Sequence, residues 1–158
     1  KMKDKQEEIQ TIKEALTKFQ EMNVKATKES INPHFKSKYS DLTSVINAVN
    51  HGAEFGLSFT QSIDYKNVIT KKEQIKYTKE GEQEKRQGED VVKDIFVTTT
   101  IRHNIDDKEF TCCVPVLVKG DDKDNPQKMG SAITYAKRYG LQSLYGLASD
   151  DDDGNLAS

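Results

Sequence analysis

The sequence predicts an α+β fold: an antiparallel sheet packed by helices, with a further helix at the N-terminus. Three observations predict it. Apolar residues recur at helical spacing near both ends of the 158 residues, they alternate through the middle, and the alternating stretches are separated by polar turns rather than crossover helices. That length suits one domain with a modest core.

Ile9, Ile12, Leu16 and Phe19 fall at steps of three and four, so a surface helix is expected over about 4–22 with one side docked. The segment Ile31 to Tyr39 contains Pro33, which biases Asn32 towards extended geometry and marks a loop. A second helix is expected to start at Ser40 or Asp41, either of which can cap it, with Leu42, Val45, Ile46, Val49 and Ala53 on its buried side. Gly56 is placed to end it in the left-handed conformation.

The period then changes. Leu57, Phe59, Ile63 and Tyr65 share one face of a half-buried strand. Residues 66–90 are rich in Lys, Glu, Gln and Gly. Val68, Ile69, Ile75 and Tyr77 could carry a hairpin arm there, but the charged stretch from Lys79 to Asp90 predicts a partly mobile insertion. Val91 to His103 is the clearest strand; Val97, Thr99 and Ile101 face one way, Thr98, Thr100 and Arg102 the other. Asn104 to Lys108 forms a turn, and Phe110 to Val118 returns antiparallel, with Pro115 pointing to an open edge. Pro126 opens a third helix with Met129, Ile133, Ala136, Gly140, Leu144 and Leu147 inward, and Gly140 can bend it. Residues 1–149 thus read as one domain and 150–158 as an acidic flexible tail.

Adjacent Cys112 and Cys113 point to opposite strand faces, which disfavours a mutual disulfide and fits a reducing cytoplasm. No run approaches the roughly 20 apolar residues of a membrane span. The net charge is −2, but Asp150 to Asp153 supply four of the acids; without them the remainder is +2. Bulk charge therefore does not exclude a nucleic-acid partner.

His34, His51 and His103 lack an accompanying nucleophile motif, and the nine glycines form no phosphate-cradling loop, so neither a triad nor ATP-driven chemistry is expected. No cofactor is implied. The acidic run suggests one rival reading, a magnesium-dependent nuclease, but four consecutive acids at a frayed end do not converge as metal ligands do. A purely structural oligomer is the other alternative. Two patches combine cations with aromatics instead. One is Phe35, Lys36, Lys38 and Tyr39; the other is Lys128, Tyr135, Lys137, Arg138 and Tyr139 on the third helix, where no acid occurs between Asn125 and Ser149. Cations neutralise phosphates and tyrosines stack on unpaired bases. An ordinary cationic helix flank with packing tyrosines reads the same way, and the chemistry alone leaves both open.

GSAITYAKRYGLQSLYGLASDDDDGN (Gly130 to Asn155) closely resembles the C-terminal core signature of the Erf family of phage single-strand-annealing recombinases. NPHFKSKYSDLTSVINAV (Asn32 to Val49) is similar to that family's N-terminal signature, with GLSFTQ (Gly56 to Gln61) and the strand VTTTIRH (Val97 to His103) following in order. The resemblance implies a β-β-β-α core related to the eukaryotic annealing mediators of homologous recombination, whose DNA-binding helix carries a Lys-Arg pair matching Lys137 and Arg138. It further implies ATP-independent annealing of single-stranded DNA, ring or filament homo-oligomers, and a host single-strand-binding protein as partner in the bacterial cytoplasm. Lys36, Lys38, Tyr39, Arg102, Lys128, Tyr135, Lys137, Arg138 and Tyr139 are the expected DNA contacts. Two departures stand out: the turn after His103 lacks the family's glycine, and residues 66–90 are long and unusually charged.

Overall fold

The computed structural model describes residues 8–31, 38–122 and 124–148. The first helix, α1 (Ile12–Glu21), is capped by Thr11, whose hydroxyl accepts the Glu14 amide while the Glu14 carboxylate reaches back to the Thr11 amide. Ile12, Ala15 and Phe19 are buried. Strands β1 (Ser30–Ile31) and β2 (Lys38–Tyr39) pair antiparallel, and α2 (Leu42–Val49) follows. Of the two candidate caps for α2, Asp41 serves: its carboxylate accepts the Ser44 amide at 2.8 Å. The Ser40 hydroxyl instead donates to the Ala26 carbonyl. A 3-10 turn, Asn50–Phe55, ends at Gly56 with φ of 82°, where a Cβ would lie 2.2 Å from Asn104 Oδ1.

Strands β3 (Leu57–Tyr77), β4 (Gln83–His103) and β5 (Glu109–Pro115) form an antiparallel sheet in the order β3-β4-β5. The α+β class with an N-terminal helix is therefore the observed one. β5 pairs with Phe96 to Arg102, and past Val116, whose amide donates to the Ile95 carbonyl at 2.8 Å, β3 and β4 run on as a two-stranded arm. Within it, Gln83 to Asp90 is regular strand in register with Thr70 to Tyr77, where the charge-rich sequence suggests irregular chain. Opposite charges meet across the arm, Lys72 with Asp90 at 2.9 Å and Lys85 with Glu73 at 4.0 Å, so its Lys and Glu residues accompany strand pairing rather than opposing it. β5 ends at Pro115, three residues earlier than expected.

The last helix, α3 (Pro126–Tyr145), is capped by the Asn125 carboxamide and crosses the face of the sheet that carries Val97, Thr99 and Ile101. Of the expected inward set Met129, Ile133, Ala136, Gly140, Leu144 and Leu147, Ala136 and Gly140 are buried and Leu144 and Leu147 pack half-buried against the core, while Leu141, Gln142 and Tyr145 are buried beside them outside the expected stripe. Gly140 does not interrupt the helix. Its missing Cβ instead allows contact with Thr99. Cys112 is half-buried, with its thiol 3.7 Å from the Gly140 carbonyl oxygen, and Cys113 is exposed; both are free.

The core joins α1, α2, the root of the sheet and α3 through Ile12, Phe19, Val45, Val49, Leu57, Ile101, Leu141 and Tyr145. Phe19 and Tyr145 meet edge-to-face at 5.1 Å. Burial pushes the Tyr145 phenol up from 10.0 to about 12. A phenol whose pKa is higher in the folded state holds its proton after the unfolded chain has lost it. Its contribution to stability is therefore intact below pH 10 and falls as pH rises from 10 to about 12. Denaturant melts across that window should show a loss that is absent in Tyr145→Phe.

The turn after β4 manages without the expected glycine. His103 Nδ1 accepts the amides of Ile105 and Asp106 at 3.3 and 3.2 Å, so the proton sits on Nε2, which donates to the Phe55 carbonyl at 3.1 Å. The Asp106 carboxylate in turn accepts the Ile12 amide at the start of α1. That bond, followed by one from the Lys108 amide, holds the Asp106 carboxyl below its usual range.

Candidate nucleic-acid interface

The sequence separates Tyr39 from Arg138 by most of the chain, and the fold brings them together. On α3, residues 135, 138 and 139 fall on neighbouring helical positions, and β2 delivers Tyr39 opposite them. The Arg138 guanidinium lies 5.1 Å from the Tyr39 ring centroid, 4.9 Å from Tyr135 and 5.1 Å from Tyr139. Tyr135 and Tyr139 stack with centroids 6.3 Å apart. Arg138 Nη1 donates to the Ser40 carbonyl at 3.3 Å. Only 6% of Arg138 is exposed, so this cation sits inside an aromatic cage instead of projecting into water. Its position beside the apolar stripe gave no sign of that burial, because the third wall of the cage comes from a distant segment.

Tyr135 is the solvent-facing member of the cage, 48% exposed. It stands between two clefts. The first, about 500 Å³, is lined by Tyr39, Asp41, Leu42, Ser131, Thr134 and Arg138 as well as Tyr135. The second, about 330 Å³, is apolar and runs between α3 and the end of β5 along Val114, Pro115 and Leu117. Asp41 in the first cleft is held below the usual carboxylate range, foremost by the Ser44 amide and then by the Ser30 hydroxyl, so it is a negative group there at neutral pH.

The remaining expected contacts are distributed unevenly. Lys38 is exposed beside Tyr39 on β2. Lys137 is half-buried, and its carbonyl accepts Gln61 Nε2 at 2.9 Å. Lys128 is exposed in the first turn of α3, ten residues before Arg138 and so roughly 15 Å away along the axis. Arg102 lies on the opposite face of the sheet from α3. There Nε pairs with the Glu109 carboxylate at 3.0 Å and Nη1 donates to Thr60 Oγ1 at 2.7 Å. Within one chain the sheet therefore separates Arg102 from the Arg138 cluster. Lys36, Phe35 and Asp150 to Asp153 lie outside the described residues.

Sequence reasoning missed the polar brace beneath the cluster. Gln61 Nε2 donates both to Thr99 Oγ1 and to the Lys137 carbonyl, each at 2.9 Å, tying β3 and β4 to the middle of α3. The only available signal was a glutamine among alternating residues, which specifies no partner. Among the described residues no group of three or more His, Cys, Asp or Glu is arranged to hold a metal ion, and no helix is long and apolar enough to cross a membrane.

Fold and cluster together define an α+β domain in which one helix, laid on a three-stranded antiparallel sheet, presents an aromatic-caged arginine beside an open cleft. The chain matches the ERF superfamily over residues 12–158 and belongs to it. Proteins of that family act in single-strand annealing during recombination. Comparison with curated proteins and with solved structures finds no match for this chain.

Proposed function

We propose that this protein binds single-stranded DNA and anneals complementary strands without ATP in phage homologous recombination, acting as a homo-oligomer in the host cytoplasm and not as an enzyme. The observation that carries the reading is the assembly of Tyr39, Tyr135, Tyr139 and Arg138 from the two segments where cations and aromatics alternate. Membership of the ERF superfamily supports it. Division of labour follows from exposure. Exposed Lys38 and the half-buried Lys137, with Lys36 from the adjoining segment, hold phosphates, and Lys128 extends that track along α3. Tyr135 offers a ring on which a base stacks, while Arg138 holds Tyr39, Tyr135 and Tyr139 in place from within. Arg102 serves the same strand only if a neighbouring copy presents its sheet face. Gripping backbone leaves base edges open to a second strand. Each subunit makes few contacts, so affinity builds through many subunits on one strand. A host single-strand-binding protein is the expected partner.

The decisive test mixes two complementary labelled oligonucleotides with the protein in ATP-free buffer, with and without magnesium. Accelerated duplex formation in both is expected. Strand shortening with magnesium would overturn the reading in favour of cleavage through Asp150 to Asp153, and neither activity would leave a structural oligomer. At the residue level, Tyr135→Ala should weaken single-strand binding by about 1–3 kcal/mol and, because it removes one wall of the Arg138 cage, lower stability by about 1–2 kcal/mol. Lys137→Ala should lower the salt slope of binding by about 0.7. Fluorescence anisotropy titrations over a salt series read both.

A further inference from the structure

Past the Phe96–Pro115 row, where β5 ends, the Val116 amide still donates to the Ile95 carbonyl at 2.8 Å; from Asp94 outward the β3–β4 arm continues as two strands to the turn at Thr78 to Glu82. Alternation puts Ile63, Tyr65, Ile69, Ile75 and Tyr77 of β3 on one face, with Val91 paired to Ile69 beside them; each is between 52% and 69% exposed. At the root of the sheet the same face carries Val97, Thr99 and Ile101 beneath α3. The stripe is thus an extension of the core-facing surface past the end of the helix that covers it. An isolated two-stranded ribbon is marginal in water, and large apolar side chains repeated along one exposed face, here interspersed with charges, suit an interaction surface.

The charges on this face say what fits it. Lys71, Lys85 and Lys93 are offset by Glu73 and Glu89, so a polyanion or an anionic lipid surface gains little there. The order along β3 is Ile69, Lys71, Glu73, Ile75, all on the one face. A second copy laid antiparallel, about a two-fold axis between Lys71 and Glu73, sets each Lys71 against the other copy's Glu73 and each Ile69 against the other's Ile75. Lys85 sits 4.0 Å from Glu73 on an exposed surface, a contact weak enough to share. With the axis between Lys71 and Glu73 the two ribbons overlap from Asn67 to Tyr77, about 33 Å by roughly 10 Å, so face-to-face packing buries on the order of 700 Å² in total, the size of a weak pairing whose population depends on concentration.

We propose that the apolar face of the arm is a contact between two copies of this chain, packed antiparallel about a two-fold axis. Such a contact closes in pairs and cannot by itself extend a ring or filament, so it is distinct from any contact that propagates along DNA. It does not depend on the DNA-binding reading and is tested without DNA.

Sedimentation velocity of the full chain, over roughly a hundredfold range of concentration, reads the copy number. Ile69→Asp or Ile75→Asp should halve it. Lys71→Glu should weaken the pairing by at least about tenfold, and the double swap Lys71→Glu with Glu73→Lys should restore it, since each residue again faces its opposite across the axis. These positions lie beyond the core, so a thermal melt separates loss of pairing from loss of fold. A chain that is monomeric throughout, an unchanged copy number in Ile69→Asp, or a double swap that fails to recover would each overturn the proposal. So would a stripe needed for binding neutral lipid vesicles while copy number stays the same.

Discussion

Arg138→Ala is expected to destabilise the protein by about 2–3 kcal/mol, a larger effect than its loss as a surface cation would give. Three aromatic rings surround the guanidinium at 4.9 to 5.1 Å, and desolvated cation–π contacts are worth about 1–2 kcal/mol each before the cost of burying the charge is offset. The substitution also removes the Nη1 donor from the carbonyl of Ser40, itself 2% exposed, and leaves a space between β2 and α3. For a chain of this size the melting temperature should fall by roughly 5–10 °C. Arg138→Lys should recover little of this, because an ammonium cannot stack flat against several rings. Differential scanning calorimetry checks the prediction, and an Arg138→Ala protein as stable as the parent would refute the cage. The consequence for function is direct. Weak DNA binding by an Arg138 variant reports a disordered Tyr39–Tyr135–Tyr139 cluster as much as a missing charge, whereas Lys137→Ala isolates the electrostatic part.

The second large effect is expected at Gly140. Alanine there improves helix propensity by about 1 kcal/mol, so on an exposed helix the change would stabilise. In this fold the added Cβ would lie 2.4 Å from Thr99 Oγ1 and 3.2 Å from Thr99 Cβ. Thr99 is fully buried and held by Gln61, so it has nowhere to go. Overpacking should win, giving a net loss of about 2–3 kcal/mol. The sign alone discriminates between the two effects. Gly140→Ala combined with Thr99→Ala should be more stable than the sum of the single changes predicts, because the clash exists only when both groups are present. Urea denaturation of the four proteins in this cycle measures it; strict additivity would mean that α3 and β4 do not touch at this point.

The class, the element order and most of the faces follow from local pattern. Val97 to His103 alternates cleanly, and period two is a property of the extended backbone itself. Thr11 and Asp41 cap their helices through bonds that span three residues. Gly56 adopts the positive φ that its place after α2 suggests. The signatures of residues 130–155 and 32–49 point to the family that the match over residues 12–158 shows.

What required the tertiary structure is everything that depends on which distant segments meet. Arg138 reads as a helix-flank cation until β2 supplies Tyr39, and the buried place of Tyr145 follows only once α1 supplies Phe19. The His103 turn draws its order from a ring nitrogen, not from the backbone freedom of a glycine. The first strand of the arm was legible in Val68, Ile69, Ile75 and Tyr77, but its return over Gln83 to Asp90 was not, because Lys and Glu in sequence look like loop and only strand pairing brings opposite charges together. Local patterns set what each segment becomes, since propensity and periodicity act within a few residues. Burial, charge pairing and the separation of Arg102 from Arg138 by the sheet are properties of neighbours in space, which no single stretch of chain contains.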